Sequence, residues 1–128
     1  MDKLKILYVD DSPTQLNQFK SSLEDGPYVV YTATSGSIAL QRMADVDLVV
    51  IDYNMPDMNG AECLKLLQQH APEKRTIRYF LYTTNFELVR QHRDMGFDGV
   101  LLLKGKNDVR RQVDALHRSL TRRSLGAA

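Results

Sequence analysis

The chain has 128 residues, of which 43% are hydrophobic and 26% are charged, and its formal net charge is +1. These values predict one globular domain with a sizeable core, and they give no overall field that would attract nucleic acid or an anionic membrane. A single cysteine, Cys63, excludes an internal disulfide, and no apolar run approaches the ~20 residues of a membrane span, so we expect a cytoplasmic protein.

Short apolar runs alternate with helical patterns five times along the chain. The first run ends in Asp10 and Asp11, and Ser12 and Pro13 then form the N-cap and first turn of a helix. This alternation predicts an α/β fold in which a parallel sheet has helices on both faces. The predicted strands are residues 4–9, 28–33, 46–51, 77–82 and 100–103.

Each predicted helix carries apolar residues at helical spacing. The fourth helix would be capped by Thr84 or Asn85 and closed by Gly96. In chain order the apolar positions are Leu16, Phe19 and Leu23; Ala39, Leu40, Met43 and Ala44; Ala61, Cys63, Leu64, Leu67 and Ala71; Phe86, Leu88, Val89 and Met95; and Val109, Val113, Leu116 and Leu120.

Four of the five predicted strands end in residues suited to chemistry, namely Asp10 and Asp11, Asp52, Thr83, and Lys104. The carboxyl ends of parallel strands lie at one edge of a sheet, so we expect these side chains to converge. Three carboxylates within ~5 Å repel one another by roughly 1 kcal/mol per pair in water, and by more in a partly buried site. Lys104 and a Mg²⁺ ion, which prefers oxygen ligands and keeps several waters, would offset that repulsion.

A carboxylate beside Mg²⁺, a lysine and a hydroxyl is also the equipment for phosphoryl transfer onto aspartate. Asp52 would attack phosphorus, Lys104 would neutralise charge on the phosphoryl oxygens, and Thr83 would donate a hydrogen bond to one of them. Taken singly, an acidic pair is often a helix cap, a lone aspartate a turn residue and a terminal lysine a solvated one. Their joint occurrence at four strand ends favours a site.

The sequence resembles the receiver domains of two-component response regulators. The resemblance lies in Val9-Asp10-Asp11-Ser12, in the segment 52–60 (Asp-Tyr-Asn-Met-Pro-Asp-Met-Asn-Gly), in Thr83 and in Lys104, and it extends from residue 4 to about 120. It implies a three-layer, flavodoxin-like, doubly wound fold with five parallel strands in the order 2-1-3-4-5 and five helices.

The resemblance also implies a set of roles. Asp52 would be the phosphoacceptor, with Asp10, Asp11, Asp52 and the backbone carbonyl of Asn54 as Mg²⁺ ligands. The phosphoryl group would come from a sensor histidine kinase or a phosphotransfer protein. The domain would catalyse only its own phosphorylation and dephosphorylation, and a dimer that forms on phosphorylation is left open.

Three departures from the family pattern concern the output side. Gly105 follows Lys104 where the family usually has proline, and a non-proline cis bond there would cost ~3 kcal/mol. Leu101 stands three positions before Lys104, where the family commonly has an aromatic switch residue. The segment 84–95 is about two residues short, which leaves Thr83 or Thr84 as the phosphate ligand; Thr83 is favoured because a small residue normally follows it.

The main interpretation is a phosphoacceptor receiver domain over residues 1–121, with 122–128 as a C-terminal tail or the start of a linker. The alternative, indicated by Leu101 and Gly105, is a pseudo-receiver that acts as a constitutive protein-interaction module. A haloacid-dehalogenase-type phosphatase would need an aspartate at position 54, which is Asn54. The arginines of the last helix are interpreted as a solvated face, so no nucleic acid binding is expected.

Overall fold

A five-stranded parallel sheet forms the centre of the molecule, with strands in the spatial order β2-β1-β3-β4-β5. The computed structural model describes residues 3–72, 76–102 and 106–127, and it describes the side chains of all of these except 106–108 and 121–127. The elements are β1 (Leu4–Val9), α1 (Pro13–Leu23), β2 (Tyr28–Ala33), α2 (Gly36–Leu40), β3 (Leu48–Asp52), α3 (Gly60–Gln69), β4 (Arg78–Thr83), α4 (Phe86–Met95), β5 (Gly99–Leu102) and α5 (Lys106–Ala127).

The predicted fold class and strand order are confirmed. The first two strands have the predicted bounds, whereas β3 begins two residues later than predicted and β4 is shifted by one residue. The fifth strand begins one residue earlier, at Gly99, and Leu103, where it was predicted to end, lies outside the described residues.

Two apolar cores form because successive strand residues point to opposite faces of the sheet. Leu7 and Ile51 belong to the core beneath α2, α3 and α4. Ile6 and Val50, their neighbours along the strands, belong to the core beneath α1 and α5. Burial on both faces explains why β3 is apolar from Leu48 to Ile51 and why β1 is apolar apart from Lys5.

Four helices begin at a side chain that accepts a hydrogen bond from the backbone of the first turn. Ser12 accepts from Gln15 in α1, and Ser35 accepts from Ile38 in α2. Asn59 starts α3 and Asn85 starts α4, so Asn85 rather than Thr84 is the cap. Such a cap contributes about 1 kcal/mol to stability.

The second helix is shorter than its apolar pattern indicates. It ends at Leu40 after five residues, and Met43 reaches the core from the following turn, where it is 2% exposed. Ala44, predicted to face inward, is exposed, so that prediction was wrong. The helical spacing of Ala39 and Met43 was right, but the backbone between Met43 and β3 turns instead of continuing the helix.

Two predicted features of the last two helices are present in the structure, the apolar stripe of α5 and the glycine at the end of α4. The predicted stripe of α5 is confirmed at Val109 and Val113, which are buried, and α5 continues to Ala127, beyond the predicted tail boundary. Gly96 closes α4 with a left-handed φ of 105°, as predicted. None of the described helices is long and apolar enough to cross a membrane.

Candidate functional site

Three aspartates meet at the carboxyl edge of the sheet. Asp10 and Asp11 directly follow β1, and Asp52 is the last residue of the neighbouring strand β3. Val9 pairs with Ile51, so Asp10 and Asp52 come next on adjacent strands. One carboxylate oxygen from each aspartate lies within 4.8 Å of the others. The predicted convergence of these three side chains is therefore present.

Asp10 is the most deeply placed of the three carboxylates, at 4% exposed. Its Oδ1 accepts a hydrogen bond from the Ser12 backbone N–H at 3.0 Å, and its Oδ2 accepts one from the Tyr8 hydroxyl at 2.5 Å. Burial raises the pKa of Asp10 above its ordinary value, and the two hydrogen bonds act in the opposite direction. Ser12 thus serves both α1, as its cap, and Asp10.

The surroundings of Asp52 disfavour its negatively charged form. Burial, and then the charges of Asp10 and Asp11, raise its pKa to about 7, although hydrogen bonds from the backbone of Asn54 and Tyr53 oppose this. Three oxygen donors this close, in a site that disfavours their combined negative charge, form a donor set that fits a hard divalent cation such as Mg²⁺.

Asn54 and Gly60 shape the loop that follows Asp52. Asn54 is exposed, and its backbone is hydrogen-bonded to Asp52; its carbonyl remains a predicted metal ligand. The Gly60 N–H donates to the Tyr53 carbonyl at 2.8 Å, and a Cβ at Gly60 would lie 2.9 Å from the Tyr53 Cα. Only glycine permits this close approach, which brings the start of α3 back against the end of β3.

The two threonines after β4 differ in burial. Asp52 pairs with Tyr82 across the sheet, so Thr83 lies one residue further along the same edge. Thr83 is 5% exposed, and its Oγ1 accepts a hydrogen bond from the Asn85 N–H at 3.0 Å, which leaves the hydroxyl proton available to a further acceptor. Thr84 is exposed.

The predicted residues of β5 and the loop after it have different outcomes. Lys104 and Gly105 lie outside the described residues, as does the peptide bond between them. Leu101 is 2% exposed in the core beneath α1 and α5, while Val100 packs on the core that includes Leu88 of α4. The Leu101 side chain therefore lies on the face of the sheet opposite to α4.

Two features of this edge were missed from the sequence. Tyr8 was treated as a strand residue, yet its hydroxyl contacts Asp10. A small pocket also opens beside Asp11, and its lining consists of Asp11, Thr34, Ser35, Gly36, Ser37, Met55, Pro56, Asp57 and Met58. The tyrosine two positions before Asp10, on the same face of β1, was the signal that could have indicated the first feature.

Known proteins are similar to this chain in sequence and in fold. The family model of the response regulator receiver domain matches residues 6–111. Protein PilH of Pseudomonas aeruginosa is 35% identical over 82 residues, which cover 62% of this chain and 67% of PilH. The chemotaxis protein CheY4 of Vibrio cholerae has a solved structure with a TM-score of 0.76 and 29% identity, covering 91% of this chain and 98% of CheY4.

A longer relative matches nearly all of this chain with only part of its own length. A protein-glutamate methylesterase/protein-glutamine glutaminase of Rhodospirillum rubrum is 30% identical over an alignment of 135 positions, and this alignment covers 95% of the present chain. The chain spans only 36% of the length of that relative.

Proposed function

Because the chain belongs to the response regulator receiver domain family, we propose that it carries a phosphoryl group on Asp52 in a two-component phosphorelay. Receiver domains accept phosphate from histidine kinases. The observation that carries the proposal is the cluster of Asp10, Asp11 and Asp52, whose oxygens lie within 4.8 Å of one another at the carboxyl edge of the sheet. The donor is a sensor histidine kinase or a phosphotransfer protein.

The cluster supplies both the cation site and the nucleophile. Asp10, Asp11 and Asp52, with the Asn54 carbonyl, would hold Mg²⁺, which when bound neutralises negative charge on the phosphoryl oxygens. Asp52 is proposed as the nucleophile because it ends the central strand β3 and begins the segment 52–60 that carries the family resemblance, and it is more accessible than the buried Asp10. Its raised pKa reflects burial first and then the negative charges of Asp10 and Asp11.

In the transfer step, an oxygen of the Asp52 carboxylate attacks the phosphorus of a phosphohistidine. The new P–O bond forms as the P–N bond breaks, and the imidazole leaves with that electron pair and takes up a proton. Water later attacks the acyl phosphate, which returns the Asp52 carboxylate and inorganic phosphate. The chain thus acts on its own phosphoryl group and on no separate substrate.

Thr83 and Lys104 would complete the site. Thr83 is proposed as the hydroxyl donor to a phosphoryl oxygen because it is buried at the edge beside Asp52 and retains its own proton, whereas Thr84 is exposed. Lys104, which follows β5, would supply a positive charge to another phosphoryl oxygen. Thr83 also accepts from the N–H of Asn85, the cap of α4, so its movement toward a phosphoryl group would disturb the start of α4.

The test is phosphorylation by a small-molecule donor such as phosphoramidate, with and without Mg²⁺, followed by intact mass measurement. The wild-type chain should gain one phosphoryl group in the presence of Mg²⁺, and Asp52→Asn should gain none. Asp57→Asn is the matched control, since Asp57 is exposed in the same loop and lies outside the cluster. An equal gain in Asp52→Asn, or none in the wild type, would contradict the proposal.

The competing function is a constitutive interaction module, for which phosphorylation would not change the output surface. It is favoured by the position of Leu101, which lies in the core beneath α1 and α5. Amide spectra recorded with beryllofluoride and Mg²⁺ separate the two functions. Changes reaching from Thr83 into α4 support a phosphorylation switch, whereas changes confined to the aspartates support the constitutive module.

A further inference from the structure

Tyr8 lies fully buried in the aromatic centre of the core beneath α1 and α5, at 0% exposed. Its ring stacks on Phe19 of α1 with a centroid distance of 4.3 Å and meets the edge of Tyr82 at 5.5 Å. These contacts come from two different elements and fix the ring in place. The direction of the hydroxyl is therefore set by packing and not by the hydrogen bond alone.

A hydroxyl group buried in an apolar core lowers stability unless it forms a hydrogen bond. Burying a hydroxyl without a hydrogen bond costs roughly 1–3 kcal/mol, and phenylalanine would fill the same space without that cost. The Tyr8 hydroxyl donates to Asp10 Oδ2 at 2.5 Å. A tyrosine hydroxyl ionises only at about pH 10, which is about three pH units above neutral, so at neutral pH the phenol is the donor and the Asp10 carboxylate is the acceptor.

We propose that Tyr8 is a positioning residue, whose hydroxyl holds the Asp10 carboxylate in the orientation required to bind a divalent cation. The inference rests on the proposed function of the aspartate cluster. Tyr8 makes no contact with the phosphoryl group in this proposal and acts only through Asp10.

Two hydrogen bonds on different oxygens are what fix the plane of a carboxylate. The Ser12 N–H holds Oδ1 at 3.0 Å, and with that bond alone the group could still turn away from Asp11 and Asp52, which repel it. The bond from Tyr8 to Oδ2 opposes that rotation. Each carboxylate oxygen accepts two hydrogen bonds or ligands, so one position on each oxygen remains for the cation or its bound water.

The direct test is the Mg²⁺ dissociation constant of Tyr8→Phe, measured by calorimetry on the folded, unphosphorylated protein. Loss of a partner that orients a metal ligand lowers affinity by roughly 10–100-fold, so we expect the dissociation constant to rise at least about tenfold. Tyr79→Phe is the matched control: Tyr79 is buried beneath the other sheet face, and its hydroxyl has no hydrogen-bond partner among the described residues. Its Mg²⁺ affinity should equal that of the wild type.

A spectroscopic measurement on the wild type gives a second readout that does not depend on a variant folding. The Tyr8 hydroxyl proton, shielded from water and bonded to a carboxylate, should give a slowly exchanging downfield proton resonance. That resonance should shift as Mg²⁺ is added, and it should be absent from Tyr8→Phe and present in Tyr79→Phe.

Two results would contradict the role of Tyr8 without contradicting the proposed function. The first is a Mg²⁺ affinity of Tyr8→Phe within twofold of the wild type, even if the variant is less stable. The second is a Tyr8 hydroxyl resonance that does not shift when Mg²⁺ is added. Either can occur while the wild type still binds Mg²⁺ and is phosphorylated on Asp52. If the wild type binds no Mg²⁺, the proposed function and the inference fail together.

Discussion

The acidic edge of the sheet and the helix α4, which follows Thr83 at the same edge, are built in different ways. At the acidic edge, Asp10 is 4% exposed, both of its oxygens accept hydrogen bonds, and an aromatic cluster packs beneath it. α4, whose ten residues are all described, contains no buried residue, and Phe86 at its start is 79% exposed. The proposed chemistry thus lies on a well-packed edge, whereas the helix beside it is held by few apolar contacts and can shift at low cost.

The largest effect expected from this comparison is a difference in stability between two variants in which a phenylalanine is replaced by alanine. Phe19→Ala removes a ring that is 2% exposed and stacks on Tyr8, so it should lower the free energy of unfolding by about 3–5 kcal/mol. Phe86→Ala should change that free energy by less than about 0.5 kcal/mol because the ring contacts mostly water. Denaturant unfolding measures both, and equal losses would mean that α4 is packed as firmly as α1.

The next effect concerns the charges at the acidic edge in the absence of Mg²⁺. Asp52 has a pKa of about 7 in the folded protein, against an ordinary value of 3.8. The folded state therefore binds more protons than the unfolded state between these values, and its stability falls as the pH rises from about 4 to about 7. Asp52→Asn removes this penalty, so it should match the wild type near pH 4 and exceed it at pH 8.

The gain at pH 8 should be on the order of 1 kcal/mol for each carboxylate pair that is relieved, measured by denaturant unfolding in a chelator. Saturating Mg²⁺ should stabilise the wild type more than the variant and remove the difference. Asp57→Asn, at an exposed position of the same loop, should show no such pH dependence. A variant less stable than wild type at pH 8 would show that Asp52 is stabilised, not strained, by its neighbours.

The same contrast explains which parts of the structure could be predicted from sequence. Asp10, Asp11 and Asp52 could be placed together because parallel strands bring their carboxyl ends to one edge, whatever the details of packing. The bond from Tyr8 to Asp10 was not predicted, although both residues lie on one face of β1. Whether a buried tyrosine hydroxyl reaches a partner depends on how neighbouring rings fix it, which no spacing rule contains.

Errors concentrated where apolar spacing is a weak guide. Ala44 fits the stripe of a longer α2, but helix propensity and spacing do not determine where the backbone leaves the helix, and it does so after Leu40. The family comparison places Leu101 at the switch position, and the structure adds that its side chain is buried beneath α1 and α5. Lys104, from which this position is counted, lies outside the described residues, so a switch role for position 101 stays a prediction.

The smallest predicted effect compares the caps of α3 and α4. Asn59 caps α3, which buries Cys63 and Leu64, whereas Asn85 caps α4, which buries no residue. Asn59→Ala and Asn85→Ala should each remove about 1 kcal/mol of stability from their helix, which raises the equilibrium constant for its local opening roughly fivefold. Because α3 is part of the core, Asn59→Ala should accelerate amide hydrogen exchange in α3 and β3 together. In Asn85→Ala the acceleration should be largest in α4, since that helix can open without exposing a buried side chain.

An equal acceleration of exchange in β3 in both variants would mean that α4 opens only together with the whole domain. The phosphoryl signal would then need a route other than a loosely held α4.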